Sequence, residues 1–193
     1  MRPETLLAKF GLKGINYSQN GGGKGTFTLE EQLAMVGVSW NESPVGFLVL
    51  FAEIHQDFHS RQMLEQAVML ELVGLTVKTK GQKSELAYKA IVQATITEAT
   101  SPLGQICPTC NGSGHYTTER RQKRNCTLCD EGRIQWDEHS RFAELCSHEF
   151  RCTYTMFKRK YLPILMQLTR WLSDQRTAAM LALMKTIERE EAA

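Results

Sequence analysis

The sequence predicts a mostly α-helical protein, with a multi-helix core, a helix-turn-helix and an inserted four-cysteine zinc-knuckle module. Apolar residues recur at helical spacing before Pro102 and again beyond about residue 137. Between these two regions, four cysteines form two Cys-x-x-Cys pairs. The predicted domains are a flexible N-terminal arm at 1–25, a helical core at 26–101, a zinc-binding module at 102–136, and the helix-turn-helix with C-terminal helices that pack on the core at 137–193.

Length and composition fit a globular protein with one good core. The chain has 193 residues, of which 42% are hydrophobic. No run reaches the ~20 apolar residues of a membrane span, and the first ten residues do not resemble a secretory signal. We therefore expect a soluble cytoplasmic protein. The net charge of +2 is too small to indicate a nucleic-acid binder by itself, but the basic residues are clustered.

The N-terminal elements follow from local signals. Residues 16–25 are polar and rich in glycine, which is typical of a mobile loop and favours an arm over 1–25. Thr28 and Glu31 form a capping box that predicts a helix over about 28–37. Ser43 is expected to accept an amide hydrogen bond at the start of a buried helix, because a proline follows it and every face is apolar to about residue 54.

Two further helices complete the predicted core. Ser60 is expected to cap a helix that reaches about Val77, where cations and a glycine end it. Ser84 begins the next helix, which carries apolar residues at helical intervals to about Thr100.

A helix pair is predicted after the cysteine module. A short helix spans about 137–146, and a second opens at Thr153 or Thr155 and carries a basic run before Pro163 bends or restarts it. This is the outline of a helix-turn-helix, although any helical hairpin with a charged solvent face has the same pattern. A last helix, capped by Ser173, returns an apolar stripe to the core.

The two Cys-x-x-Cys pairs, separated by fifteen residues, predict a zinc site. Four thiolates saturate a tetrahedral ion and leave no position for water, so we expect one structural Zn²⁺ and no enzyme activity. The alternatives are two disulfides, which a reducing compartment disfavours, or free thiols that happen to be regularly spaced. Cys146 and Cys152 are interpreted as small buried apolar residues. The expected ligands are Cys107, Cys110, Cys126 and Cys129.

The clustered cations predict a nucleic-acid contact. The loop between the cysteine pairs is basic, and the two knuckles hold its ends, which lowers the entropic cost of presenting cations to phosphate. A solvated hairpin tip is the alternative. If the knuckles pack beside the later helix pair, the cations form one basic face toward nucleic acid. These cations are Arg120, Arg121, Lys123, Arg124, Arg151, Lys158, Arg159 and Lys160.

Several motifs occur in a characteristic order along the chain. They are Met1-Arg2-x-Glu4, Ala8-Lys9-Phe10, the apolar helix around Gly46-Phe47, Cys107-x-x-Cys110-x-Gly112-x-Gly114, Cys126-x-x-Cys129 and Phe157-x-Arg159-x-x-x-Pro163-Ile164. In this order and at similar spacing, they resemble the lambda-type Q antitermination proteins of lambdoid phages nearly from end to end. DnaJ-type cochaperones share the first knuckle motif but not the order of elements. The second knuckle departs from the family pattern at Asp130-Glu131-Gly132.

This resemblance implies a late-gene transcription antitermination factor of a bacteriophage. Such proteins bind double-stranded DNA at the late promoter, engage the paused host RNA polymerase and its primary sigma factor, and travel with polymerase through pauses and terminators. Host Nus elongation factors are further partners that the resemblance allows. It also implies a location in the cytoplasm of the bacterial host and a recognition helix at about 153–161. On that helix we expect Lys158 and Arg159 to contact DNA, with Thr155 or Tyr154 nearest the base edges. The alternative function is a DnaJ-like zinc module that binds unfolded polypeptide.

Overall fold

The computed structural model describes residues 3–8, 10–11, 14–15, 29–76, 84–118 and 121–192. The fold is mostly helical, which confirms the predicted class. The chain divides into two compact units, Met1–Glu71 with Leu168–Ala193 and Leu72–Gln167. Across the described ranges, every helix is too short or too polar to cross a lipid bilayer.

The first unit is built from helices and one pair of very short strands. The antiparallel strands β1 and β2 pair Phe10 with Ile15. Helices α4 and α8 each run across the division between the units. The elements are α1 Pro3–Leu7, β1 Phe10–Gly11, β2 Gly14–Ile15, α2 Leu29–Glu42, α3 Pro44–His55, the first part of α4 Phe58–Thr76, and most of α8 Leu162–Glu191.

Helix α3 forms the centre of the first core. Its residues 46–52 are all buried, as expected for a helix with apolar residues on every face. Phe47 and Phe51 each approach Trp40 of α2, with ring centroids 5.7 Å apart in both pairs. The predicted start at Pro44 is confirmed, but Ser43 makes no capping bond. Its hydroxyl instead donates to the Gln175 carbonyl at 3.1 Å.

Within the range expected to be a flexible arm, the structure shows α1 with Leu6 and Leu7 fully buried. The Leu7 carbonyl accepts a hydrogen bond from His55 Nε2 at 2.8 Å. A five-residue helix gives no detectable periodicity, so the sequence pattern misses it. The glycine-rich stretch at 16–25 and Thr28 of the capping box lie outside the described residues.

Two predicted helix limits are wrong because packing outweighs the local signal. Helix α2 continues past Gly37 to Glu42, since Ser39 is buried there and hydrogen-bonds Thr186 at 3.0 Å. A glycine inside a helix costs about 1 kcal/mol, which such contacts offset. Ser60 does not cap α4: it lies inside the helix, and the Asp57 carboxylate accepts its amide at 2.7 Å.

The second unit joins helices to a small β module. Its helix starts at Ser84 and Asp137 agree with prediction: both side chains accept amide hydrogen bonds, from Ala87 and Ser140. The elements after α4 are α5 Glu85–Ala99, β3 Gln105–Ile106, β4 His115–Thr117, β5 Lys123–Asn125, β6 Arg133–Ile134, α6 Glu138–Ser147, α7 Tyr154–Met156, a π-helical turn Phe157–Tyr161 and the start of α8.

A π-helical turn carries α7 directly into α8. The Leu162 amide bonds the Phe157 carbonyl five residues back. Pro163 has no amide hydrogen, and in a regular helix its ring would collide with the carbonyl of Arg159, so the wider turn accommodates it. The helix does not restart at Pro163. Ser173, predicted to cap a last helix, lies inside α8.

A largely buried ion pair fastens α6 to α5. The Arg141 guanidinium donates three hydrogen bonds to the Glu98 carboxylate, at 2.7, 3.0 and 3.1 Å. The side chains are only 18% and 8% exposed. The carboxylate raises the pKa of Arg141, chiefly through these hydrogen bonds.

Replacing Arg141 with methionine should therefore destabilise the protein. The substitution leaves the Glu98 charge buried without this partner, and we expect a loss of about 2 kcal/mol because Arg141 keeps part of its surface in water. Urea denaturation followed by circular dichroism measures it. Lys89→Met is the matched control, since Lys89 pairs with Glu85 at a site where the side chains are 62% and 79% exposed. Equal losses in both variants would contradict this assignment.

Candidate metal centre

Four cysteine sulfurs converge in the β module. The Sγ atoms of Cys107, Cys110, Cys126 and Cys129 all lie within 4.8 Å of one another. Cys107 Sγ is 3.8 Å from Cys126 Sγ, and Cys110 Sγ is 3.5 Å from Cys129 Sγ. A tetrahedral ion with metal–sulfur bonds of about 2.3 Å requires sulfurs about 3.8 Å apart. The cluster can therefore hold a metal ion, and the predicted ligand set is brought together.

Backbone hydrogen bonds join the two knuckles, residues 107–114 and 126–132, in a related way at both ends. The Cys107 amide donates to the Gly132 carbonyl at 2.9 Å, and the Cys126 amide donates to the Gly114 carbonyl at 2.8 Å. In each case the first cysteine of one pair bonds the glycine that follows the other pair. This reciprocal arrangement aims both pairs of sulfurs at one point.

Gly132 is required where the knuckles touch. Its φ of +92° is disfavoured for residues with a side chain, and a Cβ there would collide with the backbone carbonyl of Gly112. The sequence already shows glycines after each pair, although the second pair carries only one. That single glycine lies at the closest approach of the two turns.

Hydrogen bonds and burial shift the pKa values of two of the four thiols in opposite directions. The Cys110 amide lowers the pKa of Cys107 to about 7, mainly by donating to its sulfur. Burial raises the pKa of Cys129 to about 12, and the neighbouring thiols add to the shift. Cys107 is therefore the more acidic of these two thiols in the metal-free cluster. Metal binding must displace the thiol protons, so affinity should fall as pH falls.

The other two cysteines stand apart from this cluster. Cys146 lies in the last turn of α6, and Cys152 precedes Thr153, the N-cap of α7. Both are half-buried free thiols, and not the buried apolar residues that the sequence predicts. Burial raises the pKa of Cys152, with a smaller contribution from Cys146.

The basic loop between the knuckles forms the tip of an exposed β-hairpin. Strands β4 and β5 are antiparallel, and every residue in them is exposed. Of the predicted DNA contacts here, Arg121, Lys123 and Arg124 are exposed. Arg120 lies outside the described residues. The sequence does not predict β4 and β5, because three residues are too few to show the alternating pattern of a strand.

The predicted DNA contacts in and just before the recognition helix fall into two groups. Some side chains are exposed, and others bond to residues of α6. Arg151, Thr155, Arg159 and Lys160 are exposed. Tyr154 is half-buried and donates its hydroxyl to Glu138 at 3.1 Å, while Lys158 Nζ pairs with the same carboxylate at 2.8 Å. The Tyr154 ring also stacks on His139, with centroids 5.0 Å apart. These are tertiary contacts, so the spacing of residues in the sequence does not predict them.

Neither a family model nor a curated protein matches this chain.

The cluster should bind one metal ion per chain through four sulfurs. Replacing Cys107 or Cys129 with serine removes a soft ligand, and we expect elemental analysis of the purified variant to show loss of most of the metal. Cys146→Ser and Cys152→Ser are matched controls that should retain it. Full metal content in Cys107→Ser, or loss in the controls, would contradict the assigned ligand set.

Gly132→Ala should weaken metal binding without touching a ligand. Backbone strain of the kind expected here costs about 1–3 kcal/mol, which corresponds to at least a several-fold loss of affinity. Competition with a chromophoric chelator measures this loss of affinity.

Gly37→Ala is the control, because nothing lies within 4 Å of a Cβ there. It should keep metal affinity unchanged and stabilise α2 by about 1 kcal/mol. Wild-type affinity in Gly132→Ala would show that the knuckles do not need this close contact.

Proposed function

We propose that the four-cysteine cluster holds one structural Zn²⁺. Four sulfur donors spaced for tetrahedral coordination favour zinc among the common metals of folded proteins, and iron is the main competitor. The ligands fill the coordination sphere, so the ion supplies folding energy and no open position for a reacting molecule. The protein accordingly makes and breaks no bond.

We further propose that the protein binds double-stranded DNA as a phage late-gene transcription antitermination factor. The observation that carries this proposal is the exposed basic hairpin, whose two strands leave the two metal-binding knuckles. Cations presented on a rigid support make phosphate contacts at low entropic cost. The antitermination role itself rests on the family resemblance of the sequence motifs.

The segment from α6 to the π-helical turn supplies the second part of the proposed DNA surface. Residues 148–153 join α6 to α7, an arrangement compatible with a helix-turn-helix. Arg159 and Lys160 are exposed on the helix that follows, and Arg151 is exposed in the connection. In this proposal these cations contact phosphates and fix the position of the protein on the duplex.

The proposed action on transcription is positional. DNA contacts hold the protein at the late promoter, where it engages the paused host RNA polymerase and its primary sigma factor, and it then travels with polymerase through terminators. Host Nus elongation factors are proposed as further partners. The action belongs in the cytoplasm of the bacterial host.

A DnaJ-like module that binds unfolded polypeptide is the second candidate. It is favoured by three large apolar side chains exposed in or beside the β module, Leu103, Ile106 and Leu128, at 77%, 59% and 65%. Such residues suit contact with apolar segments of another chain. Suppressed aggregation of a reduced, unfolded model protein, without an effect on transcription, would favour this reading.

The proposed function predicts read-through that depends on Arg159. On a template with the phage's own late promoter and a downstream terminator, the protein should raise read-through by purified host polymerase carrying its primary sigma factor. Arg159→Glu reverses a charge that faces phosphate in this proposal. We therefore expect at least a tenfold loss of affinity for the promoter duplex, and a larger loss at low salt. Read-through should be lost as well.

Arg170→Glu is the matched control, because Arg170 is exposed on α8 and is not among the proposed DNA contacts. It should leave promoter affinity unchanged, and both variants should retain their metal. A wild-type protein that neither binds the promoter nor changes termination would overturn the proposed function.

A further inference from the structure

We infer that the β4–β5 hairpin enters the major groove of duplex DNA and that one of its faces reads base edges. This inference rests on the proposed function and assigns base reading to the hairpin in place of the helix beginning at Tyr154. Three observations carry it: the pairing of the strands, their full exposure, and the contacts that engage the helix.

The strand register divides the hairpin into two chemically different faces. Directly opposed residues on antiparallel strands point to the same side, and neighbours along a strand point to opposite sides. Tyr116 pairs with Arg124 on the first face. The other face, here called the reading face, consists of the pairs His115–Asn125 and Thr117–Lys123.

The reading face carries the side-chain types that recognise bases in the major groove. Lysine donates to guanine O6 and N7, asparagine bonds adenine N6 and N7, and threonine can bond either base or contact the thymine methyl. Asn125 and Lys123 lie two residues apart on one strand and point the same way. Their side chains could therefore reach neighbouring base pairs.

The hairpin has the dimensions of a groove-binding ribbon. Two paired strands lie about 4.8 Å apart, and three residues of strand extend about 10 Å. The major groove is about 12 Å wide and admits a two-stranded ribbon. Every side chain of β4 and β5 is exposed, so a duplex can approach either face.

The charge of the hairpin complements a duplex. Arg121, Lys123 and Arg124 are exposed. The sequence from 115 to 125 carries four cations against one carboxylate, Glu119. This excess of positive charge favours approach to the phosphates that flank the groove.

The knuckles hold the hairpin in a defined conformation before DNA arrives. Next to the last pair of β4 and β5, the Cys126 amide bonds the Gly114 carbonyl at 2.8 Å. At the tip, the Thr118 amide bonds the Gln122 carbonyl at 3.0 Å, and Arg121 adopts a φ of +56° in the turn. A preorganised reading element loses less entropy on binding.

The helix is less suited to base reading. Tyr154 and Lys158 both contact Glu138, and Tyr154 also stacks on His139. Turning either side chain toward a base would break these contacts. Thr155, Arg159 and Lys160 stay exposed, and the two cations among them suit phosphate contacts that set register without reading sequence.

Selection from a pool of randomised duplex DNA tests the inference. The wild-type protein should enrich a sequence motif. Lys123→Ala and Asn125→Ala should each relax the preference at a different position of that motif, by about tenfold against the preferred base. Arg124→Ala, on the opposite face, is the matched control. It should weaken binding to all duplexes alike and reduce the slope of log affinity against log salt by about one.

Replacement of guanine by 7-deazaguanine in the selected duplex tests the groove. It removes the N7 acceptor from the major groove and should weaken wild-type binding but add little to the loss in Lys123→Ala. Metal content and circular dichroism of each variant must match those of the wild type.

The outcomes separate this inference from the proposed function. An unchanged motif in both reading-face variants would overturn the inference, and so would a motif that changes in Thr155→Ala. Full affinity for the 7-deazaguanine duplex would overturn the assignment to the major groove. Failure of the wild-type protein to bind any duplex would instead overturn the proposed function.

Discussion

The convergence of four cysteine sulfurs is the constraint on which the β module depends. Its buried cluster consists of Cys107, Cys110 and Cys126, with Cys129 and Ile134 packed against them. The strands are two or three residues long, and β4 and β5 are fully exposed. Strands of this length are not stable by themselves. A bound ion would therefore supply much of the free energy that orders this part of the chain.

Polar contacts connect the β module to the helices of the same unit. Gln105 in β3, two residues before Cys107, donates to the Glu144 carboxylate of α6 at 2.8 Å. The Trp136 indole donates to the Ser101 carbonyl at 2.8 Å. The ion pair between Glu98 and Arg141 then joins α6 to α5. The knuckles and α6 are thus attached to one support, which is what a combined DNA surface made from the hairpin and the later helix would require.

Local chemistry was sufficient to predict part of this structure, and tertiary contacts decided the rest. Ser84, Asp137 and the apolar run after Ser43 act within a few residues, so the sequence predicts α5, α6 and α3, and the cysteine spacing predicts the thiol cluster. The burial of α1, the extension of α2 past Gly37 and the contacts of Glu138 with Tyr154 and Lys158 depend on partners distant in sequence or on exact side-chain direction. Spacing alone contains no information about such partners. The π-helical turn before Pro163 is visible in the sequence only as a proline that a regular helix would not accept.

Amide hydrogen exchange during a zinc titration of the metal-free protein tests the central claim most directly, because it observes the hairpin and not the metal. The account predicts that exchange at residues 115–118 and at Cys126 slows as zinc is added and reaches its limit at one equivalent, while exchange in α3 does not change. A hairpin whose exchange is equally slow without metal, or unaffected by a full equivalent of zinc, would contradict the claim that the four sulfurs and their ion hold this part of the molecule in place.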